Sequence, residues 1–283
     1  MTDDTANTEL TRRRFGATTI AAGLAASGVA KAADLAVTET DVKVTTPDGV
    51  SDAVLIHPSA GKHPGVLIWT DIMGLRPAFR QMGGRIAAQG YTVLVPNPFY
   101  RSGPAPNPPA GSQFSDPAAR AIMMQLMGQL NTDDNPMKDA KAYVAFLDAQ
   151  AATDTAKKIG VTGYCMGGPL SMRTAAAAPD RVGSGASFHG GSLVTDKPNS
   201  PHLLIPTMKA SFYYGISGDD DAKEPHVKDV LRDAFKAAGL KAEFKVYAEA
   251  RHGWCVPGGA VYKEDDAEIA MAKLLELFKT NIA

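Results

Sequence analysis

Cysteine is scarce in this chain, with only Cys165 and Cys255 among 283 residues. Two thiols cannot build a disulfide framework, and no Cys, His or carboxylate run has the spacing of a metal site. Charge of one sign is lacking too. The formal net charge is −1, so neither a nucleic-acid partner nor a basic membrane-binding face is expected. No G-x-G-x-x-G and no phosphate-cradling loop occurs, and no cofactor is expected. Long apolar runs are also missing. The stretch at residues 17–29 is rich in Ala and Gly and falls short of the roughly 20 apolar residues of a membrane span, so no stable membrane anchor is expected.

What is present fits a soluble domain. The chain is 45% hydrophobic and 21% charged, an ordinary globular composition with enough length for one large α/β core. At the N-terminus, Thr11-Arg12-Arg13-Arg14-Phe15 precedes the Ala-rich stretch, and Ala30-Lys31-Ala32 has the small-x-small form of a cleavage site. Paired arginines before a bulky apolar residue read as a twin-arginine export signal. Residues 1–32 are therefore expected to be removed after contact with the twin-arginine export machinery, leaving 33–283 as a single periplasmic or secreted domain. No cysteine adjoins the cleavage site, which excludes a lipoprotein anchor.

Residues 42–46 and 53–57, separated by Pro47-Asp48-Gly49, predict a hairpin. Beyond it, short apolar runs at 65–69, 92–96, 158–163, 185–188, 210–216 and 242–247 alternate with helical patterns at 77–89, 117–130, 137–149, 166–178, 225–238 and 263–280. Continuous apolar runs of this length suit parallel strands buried on both faces. The alternation implies an α/β fold, a mostly parallel doubly wound sheet flanked by helices. A Pro-rich stretch at 97–109 interrupts it, a length of loop often tied to function. The helix after it carries Met123, Met124 and Met127, which read equally as pocket lining and as ordinary core.

The run Val161-Thr162-Gly163-Tyr164-Cys165-Met166-Gly167-Gly168 is the most informative segment. It reads as strand, sharp turn and helix start, the G-x-S-x-G nucleophile elbow with Cys in place of Ser. Gly163 and Gly167 leave room for a strained turn. The helix start directs unpaired N–H groups and a positive dipole end at the sulfur, which favours thiolate.

A nucleophile of this kind needs a base and a group that orients the base. Asp219-Asp220-Asp221 follows the run at 210–216, and His252 follows the run at 242–247. The order Cys165, Asp220, His252 places each member after a strand, where open sheets bind their ligands. Asp220 is preferred for the orienting role, with Asp221 second and the remaining carboxylates left as loop or capping groups. The N–H of Met166 and an N–H from the loop Thr70-Asp71-Ile72, most simply that of Ile72, would form the oxyanion hole. His189 and His202 lie either near the same cleft or in structural hydrogen bonds.

Cys165 in its elbow, Asp71-Ile72-Met73-Gly74, Asn97-Pro98-Phe99-Tyr100-Arg101 and His252-Gly253 together resemble the dienelactone hydrolase (carboxymethylenebutenolidase) family of the α/β-hydrolase fold. The resemblance runs from about residue 42 to 282. It implies a cysteine nucleophile, an acyl-thioester intermediate and a small-molecule ester or lactone substrate. It also implies a thiol-modulating carboxylate at Asp71, where the family usually has Glu, and substrate-carboxylate binding by Arg101. The family's second arginine falls where this chain has Trp254-Cys255-Val256-Pro257, so Trp254 is carried as a substrate-facing residue. Two other readings stand beside this one: an exported protein whose two cysteines form a redox or structural disulfide, and a serine esterase, for which no comparable Ser elbow exists.

Overall fold

The apolar runs of the sequence become the centre of one sheet. In β3 (Gly65–Trp69), β4 (Thr92–Pro96) and β5 (Ile159–Tyr164) every residue is buried, as parallel strands covered on both faces require. Each buried Val, Leu or Ile there contributes about 1.5–3 kcal/mol relative to exposure. The hairpin of β1 (Val37–Thr46) and β2 (Gly49–Pro58) precedes them, and β6 (Val182–Phe188), β7 (Ser211–Ser217) and β8 (Ala242–Tyr247) follow. The eight strands run β1-β2-β4-β3-β5-β6-β7-β8. β1, β2 and β4 pair antiparallel, and all remaining neighbours pair parallel. This computed structural model describes residues 34–132 and 134–283. The export signal expected at residues 1–32 lies outside the described residues.

Helices cover both faces. α1 (Pro77–Ala87) and α7 (Glu264–Asn281) pack Phe79, Ile86, Leu274 and Phe278 against one side of the sheet. α3 (Asn135–Asp148), α4 (Gly167–Ala177) and α6 (Val227–Ala237) pack Tyr143, Leu170 and Phe235 against the other. α2 (Pro117–Leu130) starts with Pro117 after the Asp116 side chain, which accepts from the N–H groups of Ala118 and Ala119, a cap that fixes the helix end. One α-helix was not expected. Asp219, Asp220 and Asp221 form the first turn of α5 (Gly218–Lys223) instead of a loop, where carboxylates suit the positive end of a helix. β1 also begins five residues before the expected 42, because residues 37–41 of this edge strand are all exposed and carry no buried periodicity to read.

Candidate active site

The turn between β5 and α4 is held by close backbone approach. A Cβ on Gly163 would lie 1.8 Å from the Gly167 carbonyl oxygen, and one on Gly167 would lie 2.5 Å from that of Trp69. Only glycine fits either place. Between them Cys165 takes φ 54, a left-handed conformation that costs of order 1–3 kcal/mol and persists only where the surroundings enforce it. They do so here: the Cys165 N–H donates to the Phe188 carbonyl at the end of β6 (3.0 Å), and the Cys165 carbonyl accepts from Gly168 N–H (3.0 Å). Trp69 Nε1 donates to Thr174 Oγ1 (2.8 Å), tying the end of β3 to α4. Cys165, Met166 and Ile72 all border the same apolar layer.

His252 arrives from the loop after β8. Its Nδ1 lies 2.8 Å from Asp220 Oδ2, which leaves Nε2 clear of that carboxylate. Burial disfavours the charged imidazole, but the hydrogen bond to Asp220 and the hydrogen bond and charge of Cys165 outweigh it and push the imidazole up to about 10. Burial likewise raises Asp220, and the hydrogen bonds from His252 and Ser217 override it, holding the carboxylate below its ordinary range. The neighbouring aspartates are occupied elsewhere. Asp219 Oδ1 accepts from the His252 backbone N–H (2.9 Å), and Asp221 pairs with Lys228 Nζ (2.5 Å). Ser217 Oγ lies within 2.7 Å of Asp219 Oδ1 and 2.6 Å of Asp220 Oδ2. Sequence reasoning missed Ser217, whose hydroxyl sits at the N-cap position of α5 but bonds these carboxylates and makes no side-chain cap bond.

Cys165 opens on a cavity of about 540 Å³ lined by Met166, Met127, Asn131, Arg173, Lys197 and Asn199, among others. Met127 of the Met-rich helix thus reaches the cavity, while Met123 is fully buried and Met124 is exposed. Arg173 donates from Nη2 to the Asn199 carbonyl (2.9 Å). Neither cation of this cavity was picked out from the sequence, because an arginine two turns into a helix looks like any solvated one.

Three of the expected site residues have other partners in the fold. Asp71 was read as acting on the Cys165 thiol, but its two oxygens accept from Arg76 Nη1 (2.6 Å) and Nη2 (2.7 Å), and Oδ1 also accepts from Met73 N–H (2.9 Å). The short side chain is captured by its own loop. Arg101 was read as holding a substrate carboxylate. Its guanidinium instead grips the fully buried Asp139 with two bonds (2.7 and 2.8 Å), reaches Asp48 (2.6 Å) and lies over the Tyr100 ring, and it does not line the Cys165 cavity. Trp254, read as substrate-facing, is fully buried against Phe188, His189 and Tyr247. His202 is in a structural hydrogen bond with Ser200 (2.7 Å). Both cysteines are free.

The Arg101–Asp139 pair has a measurable consequence. Asp139→Ala would leave a guanidinium that is only 17% exposed with Asp48 as its one remaining carboxylate and the Tyr100 hydroxyl without its acceptor, and breaking a buried pair from one side costs about 3–5 kcal/mol. Chemical denaturation should show that loss, and a difference below about 1 kcal/mol would be incompatible with the pair's structural role.

The dienelactone hydrolase family model matches residues 51–282. A Methylorubrum extorquens protein named "Putative carboxymethylenebutenolidase" is 28% identical over 289 residues, covering 97% of this chain and 94% of that protein. The carboxymethylenebutenolidase of Rhodococcus opacus is 27% identical over 209 residues, covering 73% of this chain and 77% of the relative. Among solved structures, a dienelactone hydrolase-like promiscuous phosphotriesterase from metagenomic libraries superposes with a TM-score of 0.71 at 18% identity, covering 88% of this chain and all of that one. The strand order, the two helical layers and these neighbours make the architecture the α/β-hydrolase fold. With a match running from β2 to the end of α7, the chain belongs to the dienelactone hydrolase family.

Proposed function

We propose that the chain hydrolyses a lactone or carboxylic ester through Cys165, His252 and Asp220. The observation that carries this reading is a sulfur held at φ 54 on a glycine-walled turn, beside an imidazole whose other nitrogen is 2.8 Å from a carboxylate. In the first half-reaction the Sγ proton already rests on His252, and the thiolate Sγ bonds to the carbonyl carbon. The resulting oxyanion is received by the N–H groups of Met166 and Ile72. Collapse breaks the carbon–oxygen bond, the leaving alkoxide or enolate takes the proton back from His252, and an acyl-thioester remains. In the second, His252 takes a proton from water, the hydroxide adds to the thioester, and the acid departs as Sγ is restored. Asp220 holds the imidazole in the tautomer that keeps Nε2 available. No step calls on a cofactor.

Arg173 and Lys197 line the cavity and Arg101 does not, so the substrate-carboxylate contact carried by the family resemblance is not assigned to Arg101. The basic N-terminal pattern supports export through the twin-arginine route, with the hydrolase acting outside the cytoplasm.

The test is a panel of lactones and p-nitrophenyl esters assayed with and without an alkylating reagent. Turnover should appear and should vanish in step with modification of Cys165. Turnover that survives complete alkylation would exclude the mechanism. The pH profile is a second readout. A folded-state value raised to about 10 means that the His252 interaction stabilises the fold fully below the ordinary imidazole value, near 6.5, and is lost as pH rises through about 10. The imidazolium that protonates the leaving group is lost over the same range. The rate constant kcat/KM should therefore fall only as pH approaches about 10, and an alkaline limb near 7 would contradict the pairing.

A further inference from the structure

His189 has no part in the chemistry proposed above, yet it lies directly behind it. The residue directly follows β6 in a left-handed conformation, φ 39, and its N–H donates to the Gly215 carbonyl of β7 (2.8 Å). It is 1% exposed. The loop that carries His252 is wrapped around its ring. The His252 ring stands edge-on to it at 4.9 Å between centroids and an angle of 72°, and the Trp254 ring is edge-on at 5.3 Å and 68°. Cys255 Sγ lies 3.5 Å from its Nδ1. Three of the four residues from 252 to 255 therefore touch one imidazole. The residue immediately before it, Phe188, accepts the N–H of Cys165, so the same strand end anchors the nucleophile's backbone and the loop of its base.

We infer that His189 is a positioning residue for the reaction, a post around which the loop 252–255 is wound so that the His252 ring is held between Cys165 and Asp220. The strained backbone supports this role, since an unfavourable φ at a non-glycine residue is kept only where its surroundings enforce it. The electrostatics fit as well. Burial, with the charge of His252 adding to it, pushes the His189 imidazole well below its ordinary value, so it presents an uncharged face to an imidazole that must carry a proton. The titratable groups around it are His252 and Cys255 on the wrapped loop and Tyr164 on β5, with Asp220 of α5 acting from beyond His252. Burial raises the Cys255 thiol, with Asp71 adding to the effect, so this second sulfur is a packing group.

The inference rests on the proposed reaction, and two measurements keep the two separable. One is steady-state kcat and KM for p-nitrophenyl acetate. The other is the pH dependence of iodoacetamide alkylation of Cys165, read by peptide mass, which needs no hydrolytic activity. His189→Asn tolerates the left-handed backbone but removes the ring. It should lower kcat on the order of 100-fold, the scale of a slight misplacement of a reacting group, with KM within about twofold. The alkylation midpoint should move upward as His252 loses its hold on the sulfur. His189→Phe restores a ring and should bring kcat back to within about tenfold of the parent. Should His189→Asn fail to fold, His189→Phe and Cys255→Ala carry the test, the latter being expected to shift the midpoint in the same direction by a smaller amount.

A folded His189→Asn with the parent's kcat and midpoint would overturn the inference. So would a His189→Phe no better than the Asn variant, or a folded Cys255→Ala with an unmoved midpoint. If the parent hydrolyses no ester, the proposed reaction fails, while the alkylation profiles still decide the role of His189.

Discussion

Cys165→Ala should reduce ester and lactone turnover on the order of 10⁴-fold or more in kcat, because loss of the nucleophile leaves only the oxyanion donors and substrate binding. The fold should survive. The side chain sits at the mouth of a cavity, and alanine meets the same backbone strain at φ 54 as cysteine does. Gly163, Gly167 and the bond from Cys165 N–H to the Phe188 carbonyl are untouched by the change. Thermal unfolding of the variant should therefore resemble that of the parent while its hydrolysis falls to background. A folded Cys165→Ala protein that retained more than about a hundredth of the parent's kcat would remove the nucleophile from the mechanism.

Asp220→Asn is the second large effect. The amide keeps the size of the carboxylate but cannot hold a proton on Nδ1 of His252 with its charge, and such a change costs about 10³–10⁴-fold in kcat where an acid orients a catalytic imidazole. It should also pull the imidazole down from about 10 and move the alkaline limb of the pH profile with it. Asp221→Asn is the internal control. Asp221 is spent on Lys228, and neutralising it should change kcat by less than about threefold, as for a partly exposed ion pair away from the chemistry. If Asp221→Asn were the damaging variant and Asp220→Asn the mild one, the assignment read from the 2.8 Å contact would be wrong.

The sheet was readable because its signals are local. β3 and β4 match the expected 65–69 and 92–96 residue for residue, and β8 and α2 match 242–247 and 117–130. Buried parallel strands have no polar face to blur the apolar run, and Pro marks the first turn of α2. The placement of Cys165, Asp220 and His252 after β5, β7 and β8 was legible for the same reason. Choosing among three adjacent aspartates was not, since it depends on the turn of α5, whose six residues are too few to announce a period. The partners of Asp71, Arg101 and Trp254 were not legible in the sequence for one shared reason. Each is defined by partners that the elbow motif says nothing about: Arg76, five residues on, for Asp71; Asp139 and Asp48 for Arg101; and the aromatic layer of β6 and β8 for Trp254. A charge or ring becomes available to a ligand only when the rest of the fold leaves it unpaired.

The two sulfurs border different hydrophobic layers, Cys165 against the one covered by α3, α4 and α6, and Cys255 within the one covered by α1 and α7. Neither is bonded to the other. The chain therefore carries no internal resolving thiol, so a peroxide that converts Cys165 to the sulfenic acid leaves it exposed to further, irreversible oxidation unless a small external thiol caps it first.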